Sequence, residues 1–161
     1  MKKIGLIFAM EKEMRLIEGG MPSDKVRCCL SGIGKVNAAM CTQKLIMEFH
    51  PDCVISAGCS GSFSDNVNGG DIVVAEETAY HDFFCQGEKV GRVPGLPARF
   101  RSDPALVSLA MKQMPEAHCG LICCGDQFYV SEAEDRRQKD LYPDALAVDM
   151  ESAAVAQVCY L

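Results

Sequence analysis

The sequence has no long hydrophobic run, and we do not expect its opening to act as a secretory leader. Its apolar stretches fall well short of the ~18 residues that a membrane-spanning helix needs. The opening Met1-Lys2-Lys3 passes directly into an apolar strand pattern rather than into a leader with a cleavage site. We therefore expect no membrane partner and a cytoplasmic location.

A basic stripe is also missing. The chain carries 16 Lys and Arg against 22 Asp and Glu, which gives a formal net charge of -6, and its basic residues are scattered. A surface that binds nucleic acid needs clustered cations opposite the phosphates. Nucleic acid is therefore not an expected partner.

Metal-ligand spacing is lacking as well. There is no Cys-x-x-Cys, and His50, His81 and His118 are far apart in the sequence, so we expect no metal. Ten cysteines are present, including the adjacent pairs Cys28-Cys29 and Cys123-Cys124, and most lie in apolar strand or helix patterns. This placement predicts reduced, buried thiols rather than a disulfide framework.

The composition is that of a globular protein. The chain has 161 residues, 48% of them hydrophobic and 24% charged, and a chain of this length buries roughly 70% of its unfolded surface. Strand and helix patterns alternate, which predicts one α/β domain over residues 1–161, with a twisted, mostly parallel sheet between two helix layers. Predicted strands cover residues 3–9, 26–30, 53–57, 71–75, 119–124 and 145–148, and the fourth is open to extension towards Tyr80. Predicted helices cover residues 11–18, 36–49, 104–114, 132–139 and 151–161.

Polar or glycine-rich groups stand at four predicted strand ends. Ligands of open α/β sheets bind at the carboxyl ends of the strands. The segments are residues 10–13, 58–61, 125–129 and 149–151, and the last ends on Glu151 at a strand-to-helix junction. Each of these four segments is therefore a candidate part of a binding site.

Structural explanations compete at each place. Glu11 and Glu13 could simply favour the positive end of the first helix. Glycines 58 and 61 could serve a turn, and an aromatic residue such as Phe128 after a strand is more often part of the core. The pair His81-Asp82 could orient a proton, although a histidine at a strand end is usually structural.

Two nucleotide-binding motifs are absent. The loop at residues 58–61 has no following Gly-Lys-Ser/Thr, and Ser31-Gly32-Ile33-Gly34 lacks the third spaced glycine of a dinucleotide fingerprint. Two separated carboxylates, Glu13 and Glu151, remain beside an aromatic residue and a glycine loop. That combination suits holding a sugar and directing water against it.

Six colinear stretches resemble the 5'-methylthioadenosine/S-adenosylhomocysteine nucleosidases of the nucleoside phosphorylase superfamily. They are IGLIFAMEKEM from residue 4, SGIGKVNAA from 31, GDIVVAEETAYHD from 70, RVPGLPARF from 92, GLICCGDQF from 120 and AVDMESAAVAQVC from 147. The resemblance implies the superfamily's fold, a homodimer without a cofactor, and hydrolysis of an adenine nucleoside by water in methionine salvage.

The resemblance also implies residue roles. Glu13 would activate the attacking water, Glu151 would bind the ribose hydroxyls and Asp149 would be structural. Pro94 would lie in a loop that, in the family, one subunit contributes to the pocket of its neighbour. The remaining substrate contacts would come from sugar-side and base-side residues: Met10, Ile33, Cys59, Ser60, Gly61, Phe128, Tyr129 and Met150.

Two departures from the family pattern accompany the resemblance. The stretch between the first helix and Val26 is shorter than in the family, and the family continues past Leu161 with a strand whose Asp protonates adenine. The comparison thus implies a C-terminally incomplete domain. A nucleoside phosphorylase, a futalosine hydrolase and a catalytically impaired nucleoside-binding protein stay open as alternatives, although the acidic segment at residues 10–13 would repel phosphate.

Overall fold

A computed structural model describes residues 2–15, 17, 24–128 and 131–161 of the chain. Strands and helices alternate through most of it, as the hydrophobic periodicity predicts. In chain order the elements are β1 (Ile4–Phe8), α1 (Glu11–Met14), β2 (Val26–Leu30), α2 (Lys35–Phe49), β3 (Cys53–Ser56), β4 (Gly61–Ser62), β5 (Val73–Tyr80), β6 (Phe100–Arg101), α3 (Pro104–Gln113), β7 (His118–Cys124), α4 (Glu132–Leu141), β8 (Ala145–Asp149) and α5 (Ser152–Tyr160).

The described strands form two hydrogen-bonded sheets. The first has the order β2-β1-β3, and all its pairs are parallel. The second has the order β4-β8-β7-β5-β6; its three central strands are parallel, and the short outer strands β4 and β6 are antiparallel. The mostly parallel α/β architecture expected from the sequence is confirmed.

Two of these strands lie where the sequence predicted only loops. Both β4 and β6 have two residues each, and β4 consists of Gly61 and Ser62. Such short segments carry no periodicity of their own. Their strand geometry arises from tertiary pairing, of Gly61 with Val148 in β8 and of Phe100 with Thr78 in β5.

Helix α5 joins the cores of both sheets. Its Ala154 and Val155 pack with Ile7 of β1 and with α2, whereas the neighbouring Ala153 packs with Tyr80 of β5. Small side chains allow the helix to approach both surfaces closely. Residues on β1 and on β5 are thereby held at fixed positions relative to each other.

The predicted burial is wrong in two places. The continuous apolar run at residues 53–57 is typical of a strand buried on both faces, but β3 is the outer strand of its sheet, and Ile55 and Ser56 are exposed. All ten cysteines are free thiols, yet only Cys123 and Cys124 are buried; the other eight are exposed or half-buried. Most of these other thiols lie on strands or helices that leave one face open to solvent.

The described residues contain neither a membrane-spanning helix nor a cluster of metal ligands. None of the helices there combines the length and the apolar character needed to cross a bilayer. In the same part of the chain no group of three or more His, Cys, Asp or Glu side chains is arranged to hold a metal ion.

Candidate active site

Glu13 is held by backbone groups on both of its oxygens. It lies in the single turn of α1, directly after β1, and its Oε2 accepts a hydrogen bond of 2.9 Å from the N–H of Met10. Its Oε1 accepts another of 2.9 Å from the N–H of Cys59. The carboxylate therefore joins the end of β1 to the loop after β3, beyond merely favouring the helix end.

The glycine loop, residues 57–60, crosses from the first sheet to the second. It leaves β3 after Ser56 and enters β4 at Gly61, with Cys59 and Ser60 exposed. A Cβ added to Gly58 would stand 2.9 Å from Oε1 of Glu13 and 3.2 Å from Oε2. A side chain at this position would displace the Glu13 carboxylate from its present place.

Glu151 binds the N-terminal end of α2. It precedes α5, and its Oε1 accepts a hydrogen bond of 2.7 Å from the N–H of Gly34, immediately before α2. Burial raises the pKa of the Glu151 carboxyl; the Gly34 hydrogen bond opposes this rise, and the charges of Asp149 and Glu13 reinforce it.

Asp149 has a structural role in this geometry. Its Oδ1 accepts hydrogen bonds of 2.8 Å from the hydroxyl and 3.2 Å from the backbone N–H of Ser152, the first residue of α5. Burial raises the pKa of Asp149 despite these hydrogen bonds. Asp149 thus fixes the start of α5 and leaves Glu151 as the carboxylate that points toward Gly34.

Phe128 ends the described part of the loop that follows β7. Its side chain is 85% exposed, which contradicts the competing explanation that Phe128 is part of the core. An exposed aromatic ring offers a flat apolar surface to a ligand. Tyr129, predicted to read a base edge, lies outside the described residues.

A triangle of charged residues, Lys35, Asp82 and Asp126, connects three elements beside this loop. Lys35 Nζ donates to both Asp82 oxygens at 2.7 Å. The N–H of Asp126 donates to Asp82 Oδ2 at 2.8 Å, and the N–H of Lys35 donates to Asp126 Oδ1 at 2.8 Å. Burial favours neutral Asp82, but the hydrogen bonds from Lys35 and Asp126 outweigh it and lower its pKa.

Sequence reasoning missed Lys35, because a lysine at a helix start ordinarily faces solvent. The sequence shows only that Lys35 directly follows Gly34 and that Asp82 and Asp126 each follow a predicted strand. It does not indicate that these three residues meet. His81, considered for proton transfer, is fully buried, and this burial lowers its pKa. A Cβ on Gly125 would collide with its ring, so His81 packs tightly beneath the triangle.

The other residues predicted to contact the substrate differ in their exposure and in their position relative to the two carboxylates. Met10 and Ile33 are adjacent to the backbone groups that bind Glu13 and Glu151, and both are exposed; Met150 is half-buried beside Glu151. Pro94 is exposed in a turn closed by the hydrogen bond from Leu96 N–H to the Val93 carbonyl. Pro94 therefore belongs to the loop before β6 rather than to the strand ends.

Comparisons with known proteins agree with this geometry. The sequence pattern of the Phosphorylase superfamily matches residues 4–161. The 5'-methylthioadenosine/S-adenosylhomocysteine nucleosidase of Staphylococcus saprophyticus is 36% identical over 182 aligned residues, which cover 98% of this chain and 79% of the relative.

Two solved nucleosidase structures superpose on nearly the whole chain. The enzyme of Neisseria meningitidis, in complex with methylthio-immucillin-A, has a TM-score of 0.92 and 37% identity, covering 99% of this chain and 80% of the other. The enzyme of Colwellia psychrerythraea, in complex with adenine, has a TM-score of 0.91 and 34% identity, covering 99% and 76%.

Proposed function

The chain belongs to the 5'-methylthioadenosine/S-adenosylhomocysteine nucleosidases of the phosphorylase superfamily, and from that premise we propose that it hydrolyses the N-glycosidic bond of both nucleosides. The products are adenine and the corresponding 5-thioribose. The observation that carries this proposal is the pair of carboxylates, Glu13 and Glu151, each held by backbone N–H groups shortly after a strand of the parallel sheets.

Glu13 is the group that we assign to water. Each of its oxygens accepts one backbone hydrogen bond and retains a lone pair, so the carboxylate can accept a proton without first reorienting. A fixed base that directs water at the anomeric carbon reduces the entropy cost of the attack. The exposed Ser60 and the backbone of Gly61 would line the same side of the sugar.

Glu151 is the group that we assign to the ribose hydroxyls. Cleavage of an N-glycosidic bond develops positive charge on the ribosyl ring, and a partly desolvated carboxylate stabilises such charge better than one in water. One Glu151 oxygen is engaged by Gly34, and the other is available to a hydroxyl. Met150, half-buried beside it, would pack against the sugar.

Phe128 is the residue that we assign to the base. Its exposed ring can stack on adenine, and relatives of this chain have been solved with adenine and with 8-aminoadenine. Protonation of the leaving adenine is a step that we assign to none of residues 2–15, 17, 24–128 and 131–161. Within the described part of the chain, the proposal therefore covers water activation, sugar binding and base binding.

We further propose a single phosphorylase-like domain, a homodimer and a cytoplasmic location, with a role in methionine salvage. Supporting the single domain, one apolar cluster contains Ile7 of the first sheet together with Ala154 of α5, which also packs on the second sheet. Supporting the dimer, α2 exposes large apolar side chains at Val36, Met40 and Met47.

Adenine release from methylthioadenosine, measured with and without added phosphate, tests the proposed reaction. We expect release that does not depend on phosphate, and a loss of about 10²–10⁴-fold in kcat for Glu13→Gln, the typical contribution of a positioned base. Glu11→Gln is the matched control, because Glu11 pairs with Arg15 on the exposed face of the same turn.

Three outcomes would contradict the proposal. Release that requires phosphate would indicate a phosphorylase. Undiminished activity of Glu13→Gln would remove Glu13 from the reaction. Binding of methylthioadenosine without any adenine release would identify a passive nucleoside-binding protein.

A further inference from the structure

The triangle of Lys35, Asp82 and Asp126 lies outside the reaction just described, yet it is tightly built. Its three sides are hydrogen bonds of 2.7 to 2.8 Å, contributed by α2, by the residue pair after β5 and by the loop after β7. The Lys35 and Asp82 side chains are only 25% and 12% exposed. A surface ion pair of the ordinary kind would be far more solvated.

Lys35 also packs on an anchored aromatic ring. Its Nζ lies 5.5 Å from the centroid of the Tyr80 ring. The Tyr80 hydroxyl donates to Oε1 of Gln157 at 2.8 Å, which ties the ring to α5. The ammonium group is therefore held between Asp82 and an aromatic face, which restricts its otherwise flexible side chain.

The triangle lies between the two groups that would grip opposite ends of a nucleoside. On one side, Gly34 precedes Lys35 and binds Glu151, the proposed ribose ligand. On the other side, Asp126 lies two residues before Phe128, the proposed base-stacking ring. Because Phe128 is 85% exposed, little packing of its own fixes it. Its position depends on the backbone at Asp126.

We propose that Lys35 is a positioning residue, which through Asp82 and Asp126 sets the distance between the base-stacking Phe128 and the sugar-binding Glu151. This inference rests on the proposed function, because it assigns Phe128 and Glu151 to the two ends of the substrate. The triangle touches neither water nor the scissile bond. It therefore affects how well the nucleoside binds and has little effect on how fast the bound nucleoside reacts.

Lys35→Met tests the proposal by separating KM from kcat. We expect KM for methylthioadenosine and the Kd for adenine to rise about tenfold, the scale of losing part of one aromatic-base stack. We expect kcat to stay within about threefold of the wild type, because Glu13 is held independently. A merely structural lysine would lower the fraction of active protein, and hence apparent kcat, at unchanged KM.

Three further variants complete the design. Lys44→Met is the matched control, because Lys44 lies on the exposed face of the same helix. Lys35→Arg retains the cation and should recover most of the affinity for adenine. Asp126→Ala removes the acceptor of the Lys35 N–H without leaving a buried charge unpaired, so it provides the same test should Lys35→Met not fold.

A double-mutant cycle shows whether Lys35 acts through Phe128. In a Phe128→Ala background, Lys35→Met should have no further effect on adenine affinity. Fully additive effects, or unchanged Kd and KM in both Lys35→Met and Asp126→Ala, would overturn the proposal. Failure of the hydrolase proposal looks different: the wild type would then release no adenine, while its binding of adenine would still report on Lys35.

Discussion

At the scale of single residues, the preset orientation of Glu13 is the most consequential feature. Its two oxygens accept hydrogen bonds from the backbone N–H groups of Met10 and Cys59, which fix the orientation of the carboxylate. The Glu13 carboxylate fits in this position because Gly58 beside it has no side chain.

Gly58→Ala should reduce turnover more than stability. The new methyl group would stand 2.9 Å from Glu13 Oε1 and would push the carboxylate away from Cys59. Since displacement of a catalytic group by about 1 Å can cost about 10²-fold, we expect a kcat loss of 10-fold or more with a small change in KM. Steady-state adenine release measures both parameters.

Gly69→Ala is the control for this substitution, because a Cβ there meets nothing within 4 Å. Its activity and its melting temperature should match those of the wild type. Equal activity of Gly58→Ala and Gly69→Ala would show that the Glu13 orientation does not limit the reaction.

Asp149 should make stability depend on pH in a defined direction. Folding raises its pKa above the ordinary value of 3.8, chiefly through burial, so its ionisation favours the unfolded chain. Its contribution to stability is full below the unfolded pKa and is lost as pH rises through the folded pKa. Asp149→Asn should therefore gain stability relative to the wild type as the pH rises above about 4.

Urea unfolding at several pH values measures this difference, and Asp65→Asn in an exposed turn is the control. The gain should grow with pH for Asp149→Asn only. A difference that stays constant over this range would mean that Asp149 has no raised pKa in the folded chain.

At the scale of elements, α2 depends on carboxylates from other parts of the chain. Its own first turn contains no acidic residue. Instead, Glu151 binds the N–H of Gly34 and Asp126 binds the N–H of Lys35, so two distant acids satisfy orphan donors at the positive end of the helix. The same hydrogen bonds therefore shape the candidate site and stabilise the start of α2.

Helix α3 provides the contrasting case of a locally capped helix. Asp103 Oδ1 accepts from the N–H of Ala105 at 2.9 Å and of Leu106 at 3.0 Å, and Pro104 occupies the first turn. Asp103→Ala should cost about 1 kcal/mol of unfolding free energy without changing KM. Thermal or urea denaturation tests this, with Asp65→Ala as the control; an equal loss in both variants would contradict it.

The same contrast explains which elements the sequence could predict. The predicted helix start at residue 104 and the β2 span of residues 26–30 are confirmed, because caps and apolar runs are local information. The strand predicted over residues 71–75, with an extension towards Tyr80, corresponds to β5, which runs from Val73 to Tyr80. Strands β4 and β6 were missed, because their pairing partners are distant in the sequence.

The candidate site was predictable to a similar extent. Glu13 and Glu151 stood out as acids at strand ends, and the structure shows both held there by backbone N–H groups. The triangle was not predicted, because nothing local indicates that Lys35 will meet Asp82 across 47 positions of chain. The roles of the individual site residues remain predictions that the variants above test.

At the scale of the whole molecule, the site lies at the junction of the two sheets. Glu13 belongs to the first sheet, whereas Glu151 and Phe128 follow strands of the second. The glycine loop and α5 are the connections that span the junction. Small relative shifts of the sheets would therefore alter the site before they disrupted either core.

The proposed homodimer predicts the behaviour of a charged substitution on α2. Met40 is 68% exposed, on the same helix face as Val36 and Met47. Met40→Glu should yield monomers in analytical ultracentrifugation, because burying an unpaired carboxylate in an apolar interface is costly. Leu109→Glu on the exposed face of α3 should leave the oligomeric state unchanged. A wild-type monomer would contradict the proposed dimer.

Because the ten thiols differ in exposure, the rates at which they are alkylated can report on local unfolding of the chain. Cys123 and Cys124 lie in β7 at the centre of the second sheet, and burial raises the pKa of Cys123 to about 12. A thiol that is both inaccessible and protonated reacts slowly with alkylating reagents. The rate at which the last two of the ten thiols are alkylated would therefore measure how fast β7 separates from its neighbouring strands. No probe needs to be added to the protein.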